Sequence, residues 1–186
     1  RHLAPEEGER LEIIDLNDRY EGLADALKES SLPKQAYRAF VKQERKRKKA
    51  LDKGQAGQGG RKRLFVIDFS GDIRASEVSG LRMLITTILL DKRDDDRVLV
   101  RLENAGGTVS EHGLAASQLA RLRSAGVHLT VAVDKVAASG GYLMACVADR
   151  IVAAPFAVVG SIGVLAELPN FHRLLEENTS LIDGIH

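Results

Sequence analysis

The residue best placed to do chemistry is Ser139, in "AASGGY", with two alanines before it and two glycines after it. It follows an apolar run and precedes a helical pattern, so its hydroxyl stands at a strand-to-helix corner. The amide of Gly140 lies beside it at a helix N-terminus. A second glycine turn, "ENAGGTVS", follows an earlier apolar run and offers an amide from Gly106 or Gly107. A hydroxyl facing two convergent backbone donors has the parts of an acyl-transfer site: a nucleophile and an oxyanion hole. Each turn by itself also reads as plain punctuation. Gly106 and Gly107 tolerate positive φ, and Ser110 is expected to cap the next helix.

Such a nucleophile needs a base. Lys135 lies four residues before Ser139 in an extended run, and at about 3.3 Å per residue it is carried away from the hydroxyl. It reads as a solvent or subunit-contact lysine. Of the histidines, His112 follows the glycine turn and reads as a helix-start polar residue, while His172 reads as exposed beside Phe171. A Ser-His-Asp arrangement would need one of them at the nucleophile. Ser161 in "GSIGV" reads as a turn or backbone-binding serine. Asp68, Asp72, Asp94, Asp95 and Asp96 raise the question of a metal, but "DDD" sits in a connector, where solvated charge is expected. No metal or other cofactor is called for.

The elements that position these residues follow from periodicity. "LFVIDF" (64–69), "VLVRL" (98–102), "LTVAV" (129–133) and "RIVA" (150–153) are short runs rich in Val, Ile and Leu, expected as strands of a sheet covered on both faces. Between them, Val78, Leu81, Leu84, Ile85, Ile88 and Leu89 mark one helix face; Leu114, Leu119 and Leu122 mark another, which ends at Gly126. Alternating strands and helices predict an α/β fold with a parallel sheet and βαβ crossovers. Before this core, residues 1–53 read as a basic helical arm, with Leu16, Tyr20, Leu23 and Leu27 at helical spacing and a restart after Pro33. Residues 54–63, containing "GQAGQGG", read as a linker, and 64–186 as the core.

Composition narrows the class. The 186 residues are 44% hydrophobic and 28% charged, with a net charge of +1, as in an ordinary globular protein. The single cysteine, Cys146, excludes an intramolecular disulfide and a cysteine zinc site. No run approaches the roughly 18 apolar residues that span a bilayer. The opening "RHLAPEEGER" does not resemble a signal peptide, and an anchor upstream of Arg1 is compatible with the missing initiator methionine. "KQERKRKK" (42–49) carries six positive charges and one negative. It reads first as a solvated helix, next as a segment on anionic lipid, and least as a nucleic-acid patch, since no aromatic interleaving accompanies it.

The stretches "LFVIDFSGDIRAS", "RLENAGGTVSEHGLAASQL" and "TVAVDKVAASGGYLMACVADRIVAAPFAVVGSIGVLAELPNFHRLL" resemble the SohB branch of the signal peptide peptidase A family of serine proteases, from about Leu64 to Leu175. The resemblance implies a Clp protease/crotonase-like fold preceded by the helical arm. It implies a Ser/Lys dyad acting on peptides, including signal peptide remnants. It also implies a membrane anchor upstream, a catalytic region on the periplasmic side, and homo-oligomeric assembly. Ser139 matches the family nucleophile. Gly140, Gly106 and Gly107 match its oxyanion region, and Ser161, Ile162, Gly163 and Val164 match a segment near the substrate groove. The family lysine lies beyond the helix that "NFHRLLEE" resembles, yet no lysine follows Lys135 here. "LIDGI" resembles a stretch that family members carry much later, so sequence is expected to be missing around Asn178 to Ser180, or the chain to be truncated.

Three functions remain to be separated: a serine peptidase, a scaffold of the same fold lacking the base, and a crotonase-like acyl-CoA enzyme. The last requires a carboxylate in the pocket and leaves Ser139 without a role.

Overall fold

The computed structural model describes residues 12–55 and 62–163. The arm is two helices. Helix α1 (Leu16–Ser31) opens on Asp15, whose carboxylate accepts from the amides of Asn17 (2.8 Å) and Asp18 (3.3 Å). It closes at Leu32, which is extended, as the residue before a proline prefers. Helix α2 (Lys34–Gln55) starts directly after Pro33 and runs through Gly54 into the expected linker; residues 56–61 lie outside the described residues. A cation–π contact of Lys28 with Phe40 (3.9 Å) and an ion pair of Lys48 with Glu21 join the two helices.

The core alternates as the sequence predicts: β1 (Leu64–Gly71), α3 (Val78–Leu90), β2 (Arg97–Asn104), α4 (Val109–Ser124) and β3 (His128–Val133). It continues with β4 (Val136–Ala138), α5 (Gly140–Cys146), β5 (Arg150–Ala153) and β6 (Val158–Gly160). All strand pairings are parallel. β1 pairs with β2 along its full length, from Leu64 opposite Arg97 to Gly71 opposite Asn104. The other edge of β2 is shared: β3 takes residues 97–101, and β4 takes Asn104 opposite Ala137. β4 therefore resumes the line of β3 after a break at Asp134–Lys135. β5 extends β3 and β6 extends β4. The short strands β4 and β6 are not legible as separate apolar runs.

Among the described residues, the expectation of a sheet covered on both faces is corrected. Helix α4 touches both α3 and α5, and buried side chains of all three join one core cluster on one face of the sheet. Beneath them lies the core: Ile67, Phe69, Leu81, Ile85, Val98, Val100, Leu102, Leu119, Leu122, Leu129 and Val131. On the other face, among the described residues, strands β1 and β2 present Asp68, Arg101 and Glu103, and exposed ion pairs Arg101–Asp68 and Lys135–Glu103 lie across it. β2 alternates strictly, with 98, 100, 102 and 104 inward and the charged residues at 97, 101 and 103 outward. Alternation of this kind belongs to a sheet with one buried face.

"DDD" divides. Asp94 and Asp95 are exposed, but Asp96 is buried and is not solvated charge. It accepts from Arg63 Nε (2.9 Å) and Nη2 (2.7 Å) and from the Arg93 amide (2.8 Å). Those bonds, Arg63 first, hold its carboxyl below the ordinary value. α4 ends as expected, with Gly126 at φ +77° just past its last turn.

Candidate active site

Ser139 occupies the corner between β4 and α5. Its backbone stands at φ 50°, ψ −116°, a conformation that non-glycine residues rarely adopt. Two carbonyls hold it there: the Ser139 amide donates to Gly160 O (3.0 Å) and to Ser161 O (3.1 Å) at the end of β6. The Ser139 carbonyl accepts from the Leu143 amide (3.0 Å) to start α5, while its side chain caps none of the helix amides. The hydroxyl is thus presented at the corner instead of being consumed as a cap. Ser161, itself at φ 58°, takes part as a backbone acceptor, and Ile162 and Gly163 follow it, exposed. Val164, the "NFHRLLEE" stretch and the 178–180 region lie outside the described residues.

The pairing of β4 with β2 brings the two glycine turns together. A Cβ on Gly106, which has φ +94°, would lie 2.7 Å from Ser139 Cβ and 3.0 Å from Gly140 N, so only glycine fits. The two amides of this turn differ in their partners. The Gly106 N–H donates to Asn104 Oδ1 (2.7 Å), whereas among the described residues no acceptor takes the Gly107 N–H. Gly140 is the first residue of α5, so its N–H has no partner within that helix. Gly107 sits hard against the Ile73 carbonyl, and that carbonyl accepts from Thr108 N (3.0 Å), tying the turn to the loop after β1. Asp72 shapes that loop by accepting from the Arg74 and Ser76 amides and the Ser76 hydroxyl, which hold its carboxyl below the ordinary value.

One expectation near the site is corrected. Ser110 does not cap α4: the helix opens at Thr108, with no side-chain cap. His112 stands in the first turn of α4, as expected of a helix-start residue, and is fully buried, with the first turn of α5 packed against its ring. Its Nδ1 lies 2.9 Å from Thr108 O and its Nε2 3.2 Å from Asn104 Oδ1, so neither nitrogen faces Ser139. Lys135 pairs with both Glu103 oxygens at 3.0 Å, away from the hydroxyl. Among the described residues, no His, Lys, Asp or Glu side chain bonds to Ser139, and none form a metal-holding group. Sequence reasoning missed Asn104. The signal was present: it is the one polar residue at an inward position of β2, after Val98, Val100 and Leu102.

A glycine-framed, strained serine on a parallel α/β sheet defines a class that comparison with known proteins makes specific. Residues 1–119 match the Peptidase family S49 N-terminal model, and residues 121–183 match the Peptidase family S49 model; the chain belongs to that family. Within it the chain is similar to a probable protease SohB of Haemophilus influenzae, 47% identical over 93% of this chain and 52% of that protein. A probable protease SohB of Buchnera aphidicola is 60% identical over 63% of this chain and 35% of its own length. Protease 4 of Salmonella typhi is 30% identical over 62% of this chain and 17% of its length. The chain thus spans about half the length, or less, of these curated relatives. A solved enoyl-CoA hydratase/isomerase family member aligns over 63% of this chain and 59% of its own, with a TM-score of 0.43 and 21% identity.

Proposed function

We propose that the complete polypeptide is a serine endopeptidase of the signal peptide peptidase type, with Ser139 as nucleophile. The observation that carries this is the strained Ser139 backbone, which holds a hydroxyl beside Gly106 and at the N-terminus of α5. Membership of a peptidase family supports it. In this reading the Gly140 and Gly107 amides receive the oxyanion of the tetrahedral intermediate. Gly106 serves as the residue whose missing side chain lets the turns meet. Ser161 to Val164 border the groove where an extended peptide pairs with the strand edge.

The base is a lysine downstream of the "NFHRLLEE" stretch. A neutral amine must take the serine proton, and burial pulls a lysine from about 10.4 toward neutrality, which a dry crevice achieves without a histidine. An anchor upstream, a periplasmic catalytic region and self-association through the core complete the reading. Peptides, including apolar signal peptide remnants, are the substrates.

A fluorophosphonate probe tests it. The complete polypeptide is expected to be labelled, and Ser139→Ala to lose the label. Labelling that survives the substitution would remove Ser139 from the role. A complete polypeptide with no lysine beyond residue 177, and no labelling, would favour a scaffold of the same fold.

A further inference from the structure

Asn104 and His112 form a fully buried pair directly behind the glycine turns, and acyl transfer by Ser139 gives them no task. The pair touches everything that frames the site. Asn104 Oδ1 accepts from the Gly106 amide, and its Nδ2 faces Met144 Sδ of α5 at 3.7 Å. A Cβ on Gly141 would lie 2.9 Å from Asn104 Cβ, and one on Gly140 would lie 2.6 Å from Cδ2 of the His112 ring. The Gly106 turn and the first turn of α5 therefore rest on the same two side chains.

Each nitrogen of the ring faces a fixed acceptor. Thr108 O, opposite Nδ1, can only accept. The orientation of the Asn104 amide is set by the Gly106 N–H: turning it over would put NH₂ against N–H. Oδ1 is therefore the atom facing Nε2, and it too only accepts. Both ring nitrogens point at oxygen lone pairs. The ring has no exposed surface, so these two oxygens are the partners that fix its orientation.

We propose that His112 is a positioning residue of the oxyanion site, whose ring is held between Thr108 and Asn104 and, through Asn104, fixes the Gly106 turn. A turn fixed before negative charge appears beside Gly140 spares the reaction that ordering, which is the differential that speeds it. This rests on the reading of Ser139 and Gly140 above.

Inactivation kinetics of the complete polypeptide test it. For inactivation by a fluorophosphonate, His112→Gln is expected to slow the bond-forming step by about tenfold, less than loss of an oxyanion donor, with probe affinity changed less than about twofold. An unchanged rate, or a change confined to affinity, would overturn it; His112→Asn serves if the glutamine variant does not fold. Should Ser139→Ala keep its label while His112→Gln is slowed, the nucleophile assignment fails and the positioning role stands. Should Ser139→Ala lose the label while His112→Gln reacts normally, the positioning role fails alone.

Discussion

The arm and the core carry the same kind of sequence signal and meet different fates. Leu16, Tyr20, Leu23 and Leu27 follow helical spacing as regularly as Leu81, Ile85 and Ile88 do. In α1 no residue is buried; Tyr20, Leu23 and Leu27 stay more than half exposed. In α3 and α4, Ile85, Leu119 and Leu122 have no exposed surface at all. Periodicity states which face a helix can bury. A partner decides whether it does, and in α3 and α4 that partner is a parallel sheet supplied by strands far away in the chain.

The comparison breaks most visibly at the centre of the core. Leu119→Ala is expected to cost about 3 kcal/mol or more, since the close-packed surroundings cannot collapse into the space; chemical denaturation of the complete polypeptide measures it. Gly141→Ala is next, at about 1–3 kcal/mol, because its Cβ would press on the Asn104 backbone from within the packed core. Gly22→Ala in α1 sharpens the contrast: nothing lies within 4 Å of its Cβ, so it is expected to be neutral or to favour the helix by up to about 1 kcal/mol.

Asp96→Ala comes third, at about 2 kcal/mol, since it leaves the Arg63 and Arg93 donors without their buried acceptor. The same residue predicts an acid limit for the core. The carboxyl of Asp96, held down chiefly by Arg63, and that of Asp149, held down chiefly by the Leu129 amide, both lie below the ordinary carboxylate value. Their contribution is complete above the unfolded value near 4 and is lost as pH falls through the folded values below it. Thermal melts are expected to be flat from pH 6 to about 5 and to fall below about 4, with a shallower fall in Asp96→Ala. The smallest effect belongs to the arm: Leu23→Ala is expected to change stability by less than about 0.5 kcal/mol. A loss near that of Leu119→Ala would mean that the arm's stripe is buried in the complete polypeptide.

Much of the site was legible because it consists of local conformational requirements. "AASGGY" and "NAGG" announce a turn at a strand end, and Gly106 at φ +94° meets that requirement with the residue type that tolerates it. The alternating order of strands and helices was legible for the same reason. Residues read from their neighbours alone were misplaced: Ser110 as a cap and Asp96 as solvated charge. Each is governed by groups the local pattern does not contain. For Asp96 the governing group is Arg63, thirty-three positions away.

The sequence by itself determined which of the longer segments are strands and helices, where the chain turns, and that a hydroxyl stands at a glycine-framed corner. Backbone sterics and side-chain periodicity act over a few residues, so a one-dimensional record suffices for them. Only the tertiary structure decided that β4 lies against the end of β2. That one pairing sets Gly106 against Ser139, buries His112 behind Gly140 and aims Asn104 at both turns. Ser139 keeps its strained backbone because two carbonyls at the end of β6, more than twenty residues downstream, hold its amide. Contacts of that span depend on which strand finds which edge, and the burial and hydrogen bonding they create arise only once the sheet is assembled.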